Sequence, residues 1–282
     1  MSPFLALFWM PALAAGVVAI LVTVAVERLG GRRGGLLGTL PTTIVPAALG
    51  FWAGSADGAD FRDALFAVPP GMMLNAIFLW CWRGLPPRLP PCSLGVRLGM
   101  MVALSLGLWT VLALLLVAGM GAWRASGGSM ALVGWGFFAV AVVLGVAVCL
   151  QERPAPAGSR RVGPLTLLSR GVLAAVAVGL AVALAATTGP LIAGVMSIFP
   201  AIFVTTMVAL WWSQGEAVPA GAVGPMMLGS TSVSAFALGA AELMPWLGPA
   251  AGAAAAWLGA AVAVTLPAWA FLGWVGGRAR RG

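Results

Sequence analysis

The chain has 282 residues, 61% of them hydrophobic and 8% charged; soluble domains carry roughly a quarter charged residues, so a soluble globular domain is excluded. The composition defines an all-α, polytopic integral membrane protein whose surroundings are the lipid bilayer. The net charge of +8 comes from arginine alone, in short clusters between apolar runs, and so reads as a topology signal rather than a nucleic-acid surface.

Crossing a ~30 Å hydrocarbon core takes about 20 residues per helix. Nine runs meet that length: 5–26, 35–54, 61–82, 97–119, 130–150, 165–187, 190–212, 217–240 and 249–275. No basic residue precedes the first run, while Arg28, Arg32 and Arg33 follow it. This predicts a retained first span with its N-terminus outside, not a cleaved signal. With that orientation the cytoplasmic segments hold 13 of the 15 arginines, leaving only Arg62 and Arg124 outside. The positive-inside rule requires such an asymmetry, so nine spans, N-out and C-in, is the expected topology. The Ala, Gly and Arg bias without Lys is that of a GC-rich bacterial genome, and the expected location is the bacterial inner membrane. Cys81, Cys92 and Cys149 have no metal-site spacing and fall toward the reducing cytoplasmic side.

The second and third spans are interrupted by Pro41, Pro46, Pro69 and Pro70, and one of these interruptions recurs. Ile44, Pro46 and Ala47 match Ile198, Pro200 and Ala201 at an offset of 154; Met72-Met73-Leu74 match Met226-Met227-Leu228 at the same offset. Gly16-Val17 against Gly171-Val172, at 155, extends the match into the first and sixth spans. The chain therefore divides into a first four-span repeat (1–119), a fifth, linker span with its cytoplasmic loop (120–162), and a second four-span repeat (163–282). A single linker crossing makes the second repeat inverted. Paired, Gly/Pro-interrupted segments in corresponding positions of two halves are the sequence signature of a carrier's midplane site. In layout the chain resembles inverted-repeat carriers such as the bile-acid/sodium symporters and the drug/metabolite carriers; no family-specific motif accompanies the resemblance and no residues are carried over from it.

Proline removes a backbone donor, and groups freed at that depth must face protein or a water-lined cavity. The polar side chains around the breaks are accordingly the candidate substrate site: Thr39, Thr42, Thr43 and Asn75 with Pro46 in the first half, and Ser197, Ser230, Thr231 and Ser232 with Pro200 in the second. Taken singly, a Ser, Thr or Asn in a span is more often a packing or helix-linking residue; the segments as units favour a site. No acidic residue falls at mid-membrane, and histidine and tyrosine are absent, so proton relay, metal chemistry and cofactor binding have no evident residues. Carbonyls and hydroxyls suit a hard cation, which leaves sodium open as a coupling ion. Ser230 and Ser232 have no His or Lys partner anywhere in the chain, so an enzyme is not expected. The expected function is secondary transport of a small solute, with a channel, a lipid flippase or a structural membrane protein as alternatives.

Overall fold

The computed structural model describes residues 40–55, 57–151 and 189–278, and isolated helical positions at 9–21 and 163–180. The expected first and sixth spans, the first five residues of the second (35–39, Thr39 among them) and the loop 152–162 lie mainly or wholly outside the described residues. Every regular element among the described residues is helical. In chain order they are α1 (Ile44–Gly54), α2 (Gly58–Phe66), α3 (Val68–Gly84), a 3-10 turn (Pro86–Arg88), α4 (Leu94–Ala125), α5 (Met130–Leu150), α6 (Pro190–Met196), α7 (Ala201–Gln214), α8 (Ala217–Leu247), α9 (Pro249–Ala260), a π-helical turn (Ala261–Thr265) and α10 (Leu266–Arg278). Six helical stretches are long and apolar enough to cross a bilayer: α2–α3, α4, α5, α6–α7, α8 and α9–α10. These are the third, fourth, fifth, seventh, eighth and ninth expected spans.

Local chemistry sets the boundaries. Asp57 caps α2, its side chain accepting the Asp60 amide at 2.8 Å. Pro69 and Pro70 occupy the first turn of α3, and the helical bonds from Ala67 to Asp63 and from Gly71 to Ala67 persist around them, so the third span passes Ala67 without unwinding. Gly215 and Gly248, at φ +86° and +81°, end α7 and α8 in a conformation that a side chain would strain.

The least apolar spans are innermost. Of their apolar windows, 89% of α2–α3 and 67% of α8 is buried, against 22% of α4, 28% of α5 and 17% of α9–α10. Lipid tails solvate Leu and Val as well as a protein interior does, so the helices rich in Gly, Ser and Pro pack centrally, where backbones can approach. A methyl on Gly145 would meet the Leu228 backbone at 2.9 Å, and one on Gly224 the Cys149 backbone at 3.3 Å, so α5 and α8 are in close contact.

The halves interlock. α1 packs on α8 and α9, while α7 packs on α3 and α4. Near the N-terminus, Gly16 opposes Ala175 and Gly171 opposes Ile20, and the two glycine backbones touch.

Charged residues gather at the two ends of the bundle. One end holds the Arg62–Glu242 pair at 2.8 Å and Arg124 bridging Asp60 and Asp63 at 2.9 and 2.6 Å. The other holds Arg97–Glu216 at 2.9 Å and Arg83, which donates to the Val148 and Gln151 carbonyls. The two arginines left outside by the charge count are thus both neutralised, at the same end.

Candidate functional site

The seventh span is broken halfway along. Pro200 has no N–H for the Met196 carbonyl; Phe199 N–H takes that carbonyl instead, at 3.1 Å, and the ladder resumes only at Ala201. The break at 197–200 lies against α3, where a methyl on Gly71 would meet Ile198 at 2.7 Å. One turn further along α3, Asn75 is 1% exposed and donates its amide to the Ile198 carbonyl at 2.8 Å. Its own carbonyl oxygen accepts the indole N–H of Trp109 at 2.9 Å, and the Trp109 ring meets Phe199 edge-on at 5.3 Å. Trp109, midway along α4, was not anticipated from sequence. The available signal was a tryptophan at mid-span, since most membrane tryptophans sit at interfaces. The fourth span is therefore not apolar throughout; Ser105, which donates to the Met101 carbonyl, is buried in it as well.

In the first half the interruption precedes Pro46. Residues 40–43 form a turn and α1 starts at Ile44, which puts Pro46 third in the helix, where its missing N–H would be unpaired anyway. Thr42 and Thr43 are half-buried in this turn; Thr43 occupies the N-cap position with no side-chain capping bond. A mid-helix position for Pro46 is thereby corrected: its role is to start α1.

In α8, Ser230, Thr231 and Ser232 are buried at the centre of the span. Ser230 and Thr231 turn their hydroxyl protons back onto the Met227 and Leu228 carbonyls, at 2.9 and 2.6 Å. Ser197 does the same to Gly194 at 2.7 Å. Met72, Met73 and Met227 are packed in the core. The structure thus brings Asn75, Ser197 and Pro200 together around one break; Thr42, Thr43 and Pro46 form a second polar region at the start of α1, and Ser230–Ser232 a third along α8.

Trp82 and Trp211 stand at span ends, where tryptophans commonly anchor to the interface, but here they are buried against each other, ring centroids 5.8 Å apart. Glu216, at the start of α8, pairs with Arg97. Among the described residues no group of His, Cys, Asp and Glu could hold a metal ion, and the three cysteines are free thiols.

These features define an all-helical, multi-pass membrane protein with a broken helix at its centre. No protein-family model, curated protein or solved structure matches the chain.

Proposed function

We propose that the protein is a secondary transporter of a small solute that works by alternating access around the mid-span break. The observation that carries this reading is the interrupted seventh span, whose freed Ile198 carbonyl is held by the buried Asn75. A bilayer protein keeps a broken helix at mid-depth where backbone groups must meet protein or solute.

The fuller architecture belongs to the same proposal: nine spans, two inverted four-span repeats, N-terminus outside and C-terminus cytoplasmic, in a bacterial inner membrane. Two packing relations support the inverted repeat. Contacts of α1 with α8 and α9 are the repeat mates of contacts of α7 with α3 and α4. The contacts Gly16–Ala175 and Gly171–Ile20 exchange with each other under the offset of 155, as residues astride a two-fold axis do. Substrate contacts are assigned to Thr39, Thr42, Thr43 and Pro46 on one side and Ser197, Pro200, Ser230, Thr231 and Ser232 on the other. Asn75 acts between them by holding the break.

The test is counterflow in proteoliposomes, using solutes that accumulate or disappear in a deletion strain. Saturable uptake accelerated by the same solute inside is the expected result; flux that neither saturates nor responds to trans solute would make the protein a channel.

A further inference from the structure

The eighth span carries an acid toward each end: Glu216 at the N-cap of α8 and Glu242 near its other end, 26 residues and so ~39 Å apart along the axis. The third span is its complement. Arg62, in α2, and Arg88, in the 3-10 turn that follows α3, are also 26 residues apart. Each of these arginines precedes one of the acids by 154 residues, the offset at which Pro46 and Met72-Met73-Leu74 recur. α8 packs along both α2 and α3 and runs antiparallel to them. Its direction follows from the two ends: Arg62 meets Glu242 at one, while Arg97, bonded to the Pro86 carbonyl just past α3, meets Glu216 at the other. Equal spacing on antiparallel spans therefore matches an arginine to a glutamate at both ends.

At the first end the match is made. Arg62 Nη2 donates to both oxygens of Glu242, at 2.8 and 2.9 Å. At the second end Arg97 holds Glu216 instead. A single nitrogen of Arg97, Nη2, donates to the Glu216 carboxylate and to the Pro86 carbonyl, each at 2.9 Å. The carboxylate thus lies within two hydrogen-bond lengths of the turn that carries Arg88. Arg97 Nε is buried without a partner, so the two-pronged grip that strengthens an arginine–carboxylate pair is not used. Arg88, two residues beyond Pro86, is exposed and donates to the Gly84 carbonyl of its own turn. The side chains of both existing pairs are partly exposed, so each pair is weak and an exchange of partners costs little.

We propose that Arg88 is the alternate partner of Glu216: the carboxylate passes from Arg97 to Arg88 as Arg62 parts from Glu242, so that the third and eighth spans are pinned to each other at one end and then at the other. The structure holds the state pinned by Arg62–Glu242. In the second state Arg88–Glu216 closes the opposite end, and Arg62 and Glu242 separate into water. Rocking of one group of helices against another is how alternating access is achieved around a fixed midplane site. The exchange rests on the transport reading and deepens it by naming the contacts that alternate. It is measured without solute, so failed counterflow and a failed exchange are separate results.

The experiment is a spin-label distance measurement on the full chain in lipid nanodiscs. One sample is labelled at the native Cys92 and at Ala217→Cys, across the Arg97 end. A second is labelled at Ala59→Cys and Trp246→Cys, across the Arg62 end. The remaining cysteines are removed in each, and all four labelled positions are exposed. Glu242→Gln should raise the population with a short 92–217 and a long 59–246 distance by about twofold to fivefold, the size expected from losing one exposed pair. Arg62→Gln breaks the same pair from its other side and should do the same; it decides if Glu242→Gln does not fold. Adding Arg88→Gln to either should return the population to the parent level, whereas adding Arg97→Gln should raise it further. Arg88→Glu combined with Glu216→Arg should restore the short 92–217 distance that Glu216→Arg alone removes. An unchanged 92–217 distance in Glu242→Gln and Arg62→Gln, or a rise that Arg88→Gln does not reverse, would overturn the exchange.

Discussion

The side-chain amide of Asn75 is bonded to the carbonyl of Ile198, 123 residues away, at 2.8 Å. One side chain from the third span thus occupies the backbone group that the break in the seventh span releases, and Trp109 from the fourth span holds that side chain in place. Asn75→Leu strands a buried carbonyl and a buried indole N–H. It should lower stability by about 1–2 kcal/mol, seen as a drop in detergent melting temperature. Trp109→Phe, which keeps most of the ring packing and removes one donor, should cost less than Asn75→Leu. Equal melting of all three proteins would mean that the triad holds nothing together.

Hydroxyls at the proposed substrate site can be removed with little change of shape. Thr43→Val and Thr231→Val should each weaken half-saturation of transport by about tenfold, the equivalent of one hydrogen bond of ~1.4 kcal/mol. Thr110→Val, on the exposed face of α4, should leave it unchanged. Transport kinetics of the three variants at matched membrane expression check this; parent-like affinity in both site variants would reassign the breaks to packing.

Ion pairs tie the spans at both ends of the bundle: Arg62 to Glu242, and Arg97 to Glu216. Their side chains are 25–46% exposed, so each pair should contribute under ~1 kcal/mol to stability. Under the proposed carrier reading their effect falls on the rate at which the ends open. Arg62→Glu or Glu242→Arg should slow counterflow severalfold with Tm almost unmoved, and the double exchange should restore it. Additive loss in the double variant would contradict the coupling.

Small residues permit the crossing at the N-terminal end. A methyl on Gly16 would sit 2.9 Å from the Gly171 carbonyl oxygen, and one on Gly171 would sit 2.6 Å from Ile20. Gly16→Leu and Gly171→Leu should therefore both reduce the amount of folded protein, by similar factors because the contacts mirror each other. Fluorescence-detected size exclusion of tagged variants measures it. Loss in one variant alone would argue against the mirrored crossing.

Topology has its own test. In a background without Cys81, Cys92 and Cys149, single cysteines at positions 59 and 157 should react with impermeant reagents from opposite faces of the membrane. Labelling from the same face would remove the nine-span scheme.

Hydropathy and charge, read along the chain, were enough to define a multi-pass helical membrane protein and to locate six spans that the structure contains. That follows from physics local to each segment: in lipid every backbone group must be bonded within its own helix, so length and apolarity identify a span without reference to its neighbours. The break at Pro200 was legible for the same reason, since proline withdraws its N–H wherever the chain goes. What tertiary structure alone decided is which side chain meets the break and which helix lies inside. Asn75 could as well have bridged other helices, and Trp109 carries no mark in the sequence of facing Asn75 rather than lipid. Trp82 and Trp211 have the span-end positions of interfacial anchors, yet meet edge-to-face in the interior. The π-turn at 261–265 is marked in the sequence by Pro267, which offers no N–H to the Ala263 carbonyl, but the helix face that the turn presents inward is not. In each case the deciding quantity is rotation about a helix axis, set by the close approach of Gly-rich surfaces on other helices, and linear hydropathy does not record it.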